Sequence, residues 1–220
     1  MTEDELIWDY YNGLLVGPDS DRLRKLFVRY ELFKKALESP GDIVECGVFK
    51  GAGLFFWAKL LNIHAPEAQK KVIGFDTFGK PFADSLLDYE KESAKDFVDE
   101  SNFEGISTND LYEKAEKANL RERIELVSGD ITETAEEYTK NNTGFRISLL
   151  NLDFDTYQGT KSALEAFFPY IAPGGIVVFD EYGKRGWGES DAVDEYFSDK
   201  EENIQAINDC FQPTAYIQKN

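Results

Sequence analysis

Acidic side chains follow an apolar segment in the second half of the chain. The stretch RISLLNLDFDTYQGT leads from hydrophobic residues into Asn151, Asp153 and Asp155, which alternate along the end of a predicted strand. Carboxylate and amide oxygens are ligands that hard cations such as Mg²⁺ prefer. A metal site is therefore one interpretation of this stretch, and a solvated turn with incidental acids is the other.

The elements that must position these acids are strands that alternate with helices. Near-continuous apolar runs, typical of parallel strands covered on both faces, predict strands at 42–48, 71–78, 123–130, 146–153 and 174–182. Helical patterns predict helices at 51–62, 108–120, 132–141 and 160–171. This alternation indicates an α/β fold with a doubly wound, mostly parallel sheet.

The two ends of the chain and one insertion lie outside this alternation. Residues 1–40 predict an N-terminal helical extension, and residues 41–220 form the main domain. Within that domain, the acidic segment 79–107 is long enough to carry a helix of its own and to act as a lid. The segments 203–209 and 213–220 predict a closing antiparallel hairpin. Six apolar residues of the extension recur at helical spacing and are predicted to share one apolar helix face: Leu23, Leu26, Phe27, Tyr30, Phe33 and Leu37.

The composition limits the possible functions. The chain has 220 residues, 42% of them hydrophobic and 14% aromatic, which suits one folded α/β domain and argues against disorder. Its net charge of −18 would repel a phosphate backbone, so we expect no nucleic-acid partner. No basic and apolar leader and no apolar run of about 18 residues occurs, which predicts a cytoplasmic protein without a membrane partner. Of the two cysteines, Cys46 is expected to be a buried free thiol.

Every predicted parallel strand ends in an acid. Ligands of open parallel sheets bind at the carboxyl ends of the strands, so these positions are the candidate binding residues. In chain order they are Glu45, Asp76, Asp130, Asp153 with Asp155, and Asp180 with Glu181.

The turn after the first strand indicates the kind of ligand. Gly47, Gly51 and Gly53 in ECGVFKGAG would let a ligand approach the backbone, but they form neither G-x-G-x-x-G nor a Walker lysine motif. An acid such as Asp76 at the end of the second strand can bind ribose hydroxyls. These features favour a nucleoside without phosphates, and S-adenosylmethionine is the obvious candidate. Asp76 and Asp130 have an alternative role as caps of the segments that follow them.

The chain resembles the macrocin O-methyltransferases (TylF type), which are class I methyltransferases that act on sugar hydroxyls with a divalent cation. The resemblance covers most of residues 20 to 197, including DIVECGVFKGAG and VIGFDTFGKPF. Its most specific part is LLNLDFDTYQGTKSALEAFFPYIAPGGIVVFDEYG. It implies a Rossmann-like, seven-stranded methyltransferase domain at 41–220 that binds S-adenosylmethionine and a sugar or sugar-bearing acceptor.

The resemblance also implies roles for particular residues. Asp153, Asp180 and Glu181 match the metal ligands of the family, which usually has a second Asp where this chain has Glu181. Glu45 and Gly47, followed by Gly51, match the turn at the methionine end of the cofactor. Asp76 matches the ribose-binding acid, and Asp130 would lie near the adenine. Three aromatic residues would cover the substrate or form the core of the lid: Phe78, Phe82 and Phe103.

The expected reaction is an in-line methyl transfer to an alcohol oxygen. A bound cation such as Mg²⁺ would lower the pKa of that hydroxyl and orient it, and Asp153 is the chosen base. His64, the single histidine, is expected on the far face of the sheet, with a surface or capping role rather than a catalytic one. Lys161 or Lys184 could act as base if no metal is bound.

Three other functions compete with this hypothesis. An NAD-dependent oxidoreductase is disfavoured because G-x-G-x-x-G is missing. A catechol-type O-methyltransferase would use the same metal arrangement on another acceptor. A non-catalytic protein that binds S-adenosylmethionine is the third, and Glu181 is the feature that favours it. The sequence leaves a homo-oligomer open, because the N-terminal helices could pack on the domain or on a partner subunit.

Overall fold

The computed structural model describes residues 3–79, 86–101 and 105–220. Its centre is a seven-stranded sheet of order β3-β2-β1-β4-β5-β7-β6. Strands β1 to β5 are parallel, whereas β7 runs antiparallel to β5 and pairs with β6. The strands are β1 Asp42–Cys46, β2 Val72–Asp76, β3 Ile124–Ser128, β4 Ile147–Leu152, β5 Ile171–Phe179, β6 Gln205–Ala206 and β7 Ala215–Gln218. The predicted seven-stranded α/β sheet and the closing hairpin are confirmed.

Helices cover both faces of this sheet. Those in the described residues are α1 Glu3–Val16, α2 Asp21–Ala36, α3 Ala52–His64, α4 Lys91–Ser101, α5 Thr108–Lys117, α6 Ile131–Asn141, α7 Tyr157–Phe167 and α8 Glu189–Phe197. The predicted helices are confirmed, and α4 supplies the helix that we expected within 79–107. Helix α8 was not predicted.

The core has two halves because side chains alternate across a strand. In β1, Ile43 faces the half that contains Phe33 of α2 and Trp57 of α3. Its neighbour Val44 faces the half that contains Phe167 of α7, together with residues of α6 and α8. The sheet is therefore doubly wound, as the near-continuous apolar strands predict.

The buried face of α2 departs from the predicted apolar face at Phe27, and it includes a charged residue. Phe27 is 65% exposed, while Arg29 and Leu32 are each 4% exposed. The helix is thus rotated so that a guanidinium group points towards the sheet. Burial of a charge is tolerated only beside opposite charges, and the acids at the strand ends provide them. Of the six apolar positions, Phe33 is fully buried and four are partly buried, so Phe27 is the one that lies outside the packed face.

The described part of segment 79–107 contacts the turn after β1 and the start of α7. The rings of Phe97 in α4 and Phe49 in the turn after β1 lie 5.7 Å apart between centroids. Before α4, the buried carboxylate of Glu90 accepts hydrogen bonds from the Leu87 N–H at 2.8 Å and from the Tyr157 N–H at 2.7 Å. These contacts tie the segment to the turn after β1 and to α7. Phe82 and Phe103 lie outside the described residues.

Two expectations drawn from composition can be compared with the structure. Cys46 is a buried free thiol, as expected, and Cys210 is a half-buried one. Within the described part of the chain, no helix combines the length and the apolar character that a membrane crossing requires.

Candidate active site

The ends of three neighbouring strands bring the candidate acids together. The N–H of Asp153 donates to the Cys46 carbonyl at 2.9 Å, and the N–H of Asp180 donates to the Leu152 carbonyl at 3.1 Å. These bonds continue the ladder from β1 through β4 to β5. Strand alternation then places Glu45, Asp153 and Asp180 on the face of the sheet that α2 covers.

Two cations of α2 lie between the carboxylates of Asp153 and Asp180. Lys25 Nζ is 2.8 Å from Asp180 Oδ2 and 3.4 Å from Asp153 Oδ2. Arg29 Nη2 is 2.6 Å from Asp153 Oδ2 and 3.5 Å from Asp180 Oδ1. Sequence reasoning missed both residues. Their spacing of four residues, which puts two basic groups on one helix face, was the available signal.

The two aspartates differ in exposure and in acidity. The Asp153 side chain is 24% exposed, whereas that of Asp180 is fully buried. Burial alone would raise the pKa of Asp153, but attraction by Lys25 and Arg29 outweighs it and holds the pKa at about 2. Burial raises the pKa of Asp180 to about 7, and repulsion from Asp153 adds to this effect. Asp153 is therefore the more acidic and the more accessible member of the pair.

Glu45 lies deeper in the same cluster. Its carboxylate is 3.9 Å from Arg29 Nη1, a long ion pair that only partly offsets burial, and burial raises the pKa of Glu45 to about 8. Gly53 at the start of α3 makes room for this pair, because a Cβ there would overlap Glu45 Oε1. Opposite Glu45 in the register lies Asn151, whose buried amide group has no hydrogen-bond partner among the described residues.

The turn after β1 is shaped by glycine and by Asp76. Gly47 has a φ of +89°, and a Cβ at this position would overlap the Asp153 carbonyl oxygen. Asp76 Oδ2 accepts the N–H groups of Val48 and Phe49 at 2.8 and 2.9 Å, and Oδ1 accepts the N–H of Phe78 at 2.9 Å. The Thr77 hydroxyl also donates to Oδ1, at 3.4 Å. Asp76 thus stabilises the turn through all of its about four acceptor positions, and a ligand hydroxyl would have to replace one of these donors. Gly51, with a φ of +90°, precedes the first residue of α3.

Asp130 caps a helix. Its Oδ1 accepts from the N–H of Thr132 at 2.9 Å and from the hydroxyl of the same residue at 2.8 Å, at the start of α6. The capping role, which was the alternative for this residue, is confirmed. The contact with adenine stays a prediction.

Further acids lie behind the aspartate pair. Glu181 is 3% exposed and pairs with Lys184 Nζ at 2.8 Å, while Gln212 Nε2 donates to its Oε1. Glu189, which sequence reasoning missed, is fully buried and accepts the Glu181 N–H at 2.8 Å. Burial raises the pKa of Asp155 well above its usual range, and repulsion from Glu181 adds to this.

These contacts decide whether the residues fit a divalent cation. Among the described residues, no group of three or more His, Cys, Asp and Glu side chains is arranged to hold a metal ion. The Lys25 ammonium lies at the place between Asp153 and Asp180 where a bridging ion would bind, and Glu181 is directed to Lys184. The arrangement therefore does not fit a divalent ion, and the metal-ligand roles of these three acids stay predictions.

The alternative bases lie in different places. His64 is the last residue of α3 and packs beside Tyr30 and Phe33 of α2, so its expected location on the far face of the sheet is wrong. It lies about 20 Å along the helix from the start of α3. Lys161 forms an ion pair with Glu195 at 2.7 Å, on the surface between α7 and α8. Of the two lysines, Lys184 is the one that contacts the acid cluster.

Comparison with known families gives an extensive match. Residues 19–216 match the family described as macrocin O-methyltransferase (TylF). A curated relative from Streptomyces olivaceus, 8-demethyl-8-(2,3-dimethoxy-alpha-L-rhamnosyl)-tetracenomycin-C 4'-O-methyltransferase, is 28% identical over 147 residues. This alignment covers 65% of the present chain and 53% of the relative, so it spans about half of the relative's length.

Solved structures show the same fold. The calicheamicin methyltransferase CalS11 is 26% identical with a TM-score of 0.76, and the alignment covers 99% of this chain and 86% of CalS11. An apo structure of CalS11, described as a TDP-rhamnose 3'-O-methyltransferase, is 27% identical, with a TM-score of 0.72 and coverage of 99% and 86%. The O-methyltransferase NovP is 20% identical with a TM-score of 0.73 and coverage of 90% and 80%, and supports the fold alone.

Proposed function

We propose, because the chain belongs to the macrocin O-methyltransferase family, that it transfers a methyl group from S-adenosylmethionine to a hydroxyl group of a sugar or a sugar-bearing small molecule. The observation that carries this proposal is the family match over residues 19–216. The acids that cluster at the strand ends lie within that match.

The cofactor is proposed to bind at the turn after β1. S-adenosylmethionine, when bound, supplies a methyl group on a cationic sulfur. Glu45, Gly47 and Gly51 are proposed to contact its methionine end, Asp76 its ribose and Asp130 the region of the adenine. The buried Asn151 amide, which has no partner among the described residues, supports a polar ligand beside Glu45. The excess of carboxylates suits a ligand with a positive charge.

The acceptor hydroxyl is proposed to bind at Asp153. Asp153 stays ionised because its pKa is held at about 2, so it can accept a hydrogen bond from the hydroxyl and orient it. As a lone pair of the acceptor oxygen forms the new C–O bond, the electrons of the breaking S–C bond remain on sulfur. The hydroxyl proton becomes strongly acidic at that stage, so even a weak base such as the Asp153 carboxylate can take it up.

A sugar acceptor is supported by the names of two relatives. The Streptomyces olivaceus relative is a 4'-O-methyltransferase of a rhamnosyl-tetracenomycin, and CalS11 is described as a TDP-rhamnose 3'-O-methyltransferase. The metal-assisted form of the reaction remains a prediction of the family resemblance. The proposed steps use no metal ion, because Lys25 lies between Asp153 and Asp180.

The test is a methylation assay with a panel of acceptors. The purified protein is incubated with S-adenosylmethionine and with nucleotide-linked deoxysugars, glycosylated macrolides or catechol, and products are analysed by mass spectrometry. We expect one added methyl group on a sugar and an equal amount of S-adenosylhomocysteine. Methylation of catechol but of no sugar would contradict the sugar acceptor.

Two variants examine the role of Asp153 in this assay. Asp153→Asn should lower turnover by about 100-fold or more, since the base is lost, while S-adenosylhomocysteine still binds. Asp199→Asn is the matched control, because Asp199 is 83% exposed and pairs with its neighbour Lys200. Unchanged turnover of Asp153→Asn would assign the base to another residue.

A further inference from the structure

We propose that Lys25 and Arg29 of α2 neutralise the carboxylates of Asp153 and Asp180 in place of a divalent cation. The active site would then use a positive charge that the chain itself provides. The inference concerns the charge balance of the site. Its meaning for catalysis rests on the proposed function.

The first argument is the spacing of the acids. Neighbouring strands lie about 4.8 Å apart, so two carboxylates at the ends of β4 and β5 repel each other unless a cation separates them. Lys25 Nζ contacts both, at 3.4 Å from Asp153 and 2.8 Å from Asp180. Arg29 Nη2 also contacts both, at 2.6 and 3.5 Å. Each aspartate thus has two cationic partners from one helix.

The second argument is that the position of Arg29 is built into the fold. The residue is 4% exposed, and its guanidinium lies 5.6 Å from the ring centroid of Trp57. Gly53 leaves space for it, because a Cβ at Gly53 would be 2.8 Å from Arg29 Nη1. A buried guanidinium held by an aromatic ring and by carboxylates is not an incidental surface contact.

A divalent cation would meet opposition at this place. It would have to displace the Lys25 ammonium, whose side chain is only 16% exposed, and would lie close to the positive charge of Arg29. Like charges at such distances repel strongly where water is scarce. The complete site therefore depends on α2 being docked against the sheet, and not on an added metal ion.

The direct test is a titration of the metal-stripped protein with Mn²⁺, monitored by electron paramagnetic resonance. We expect wild type and Asp153→Asn to take up Mn²⁺ equally and weakly, as an acidic surface does. A tight Mn²⁺ site in wild type that Asp153→Asn abolishes would overturn the proposal. This readout requires no turnover, so failure of the proposed methyl transfer would leave it interpretable.

A double-mutant cycle measures the Lys25–Asp180 contact itself. Lys25→Met should lower the melting temperature by about 5 to 10 °C, because Asp180 loses its nearest cation. Adding Asp180→Asn should recover most of this loss, and Lys25→Arg should retain most of the stability. Lys34→Met is the control on the same helix, since Lys34 forms an ion pair with the exposed Glu31 and lies 4.9 Å from the ring centroid of Tyr30, away from the acid cluster. Additive effects of Lys25→Met and Asp180→Asn would contradict the proposal.

Discussion

Among single residues, Asp130 has a role that the structure shows and another that remains predicted. As the cap of α6, its carboxylate accepts a backbone N–H of the first helical turn. Asp130→Ala should therefore lower the free energy of unfolding by about 1 kcal/mol, while Asp130→Asn should stay close to wild type, because asparagine caps equally well. Urea unfolding of the three proteins measures this difference.

The same variants examine the predicted contact with the cofactor. If Asp130 acts only as a cap, Asp130→Asn should bind S-adenosylhomocysteine as wild type does. A large loss of affinity at unchanged stability would show that the carboxylate contacts the ligand.

Glu45 should make stability depend on pH. Its pKa is raised to about 8 in the folded protein, mainly by burial, compared with about 4.3 when unfolded. The folded state thus holds the proton more tightly, so this contribution to stability is complete below about pH 4 and is lost as pH rises towards 8. Glu45→Gln cannot ionise, so its stability relative to wild type should increase over that range. Parallel profiles from urea unfolding at several pH values would contradict this account.

At the scale of elements, α3 should tolerate no side chain at Gly53. An alanine there favours the helix by about 1 kcal/mol, but its Cβ would overlap Glu45 Oε1 and crowd Arg29. We expect Gly53→Ala to be destabilised by about 1 to 3 kcal/mol, as in other overpacked sites. The matched control is Gly13→Ala in α1, where nothing lies within 4 Å of the added Cβ. Equal melting temperatures of Gly53→Ala and wild type would show that Glu45 and Arg29 can move apart freely.

Strands were easier to predict from the sequence than the orientation of α2. A buried parallel strand needs apolar residues on both faces, so the runs DIVEC and ISLLNL are recognisable as strands. The acids that follow such strands are then predicted to lie at the strand ends. Helix α2 carries apolar residues on more than one face, so its spacing permits two orientations. The acids at the strand ends select the orientation that buries Arg29. The orientation of α2 therefore depends on tertiary contacts, and it cannot be predicted from the periodicity of this helix alone.

At the scale of the whole molecule, strand order explains why distant segments form one site. Strand β4 lies beside β1 although more than 100 residues separate Glu45 from Asp153, and β5 follows on the other side of β4. The alternation of strands and helices predicts this doubly wound strand order. The location of the site at the carboxyl ends of the strands was therefore predictable. The acceptor could be predicted only as a chemical class. Acceptor specificity depends on contacts from irregular segments, and irregular segments have no periodic sequence pattern from which their contacts could be predicted.

Binding of S-adenosylmethionine is the property on which the proposed methyl transfer depends. Isothermal titration calorimetry of the full chain with S-adenosylhomocysteine, and separately with NAD⁺, examines it most directly. We expect saturable binding of S-adenosylhomocysteine and no binding of NAD⁺. Absence of S-adenosylhomocysteine binding, or binding of NAD⁺ in its place, would contradict it.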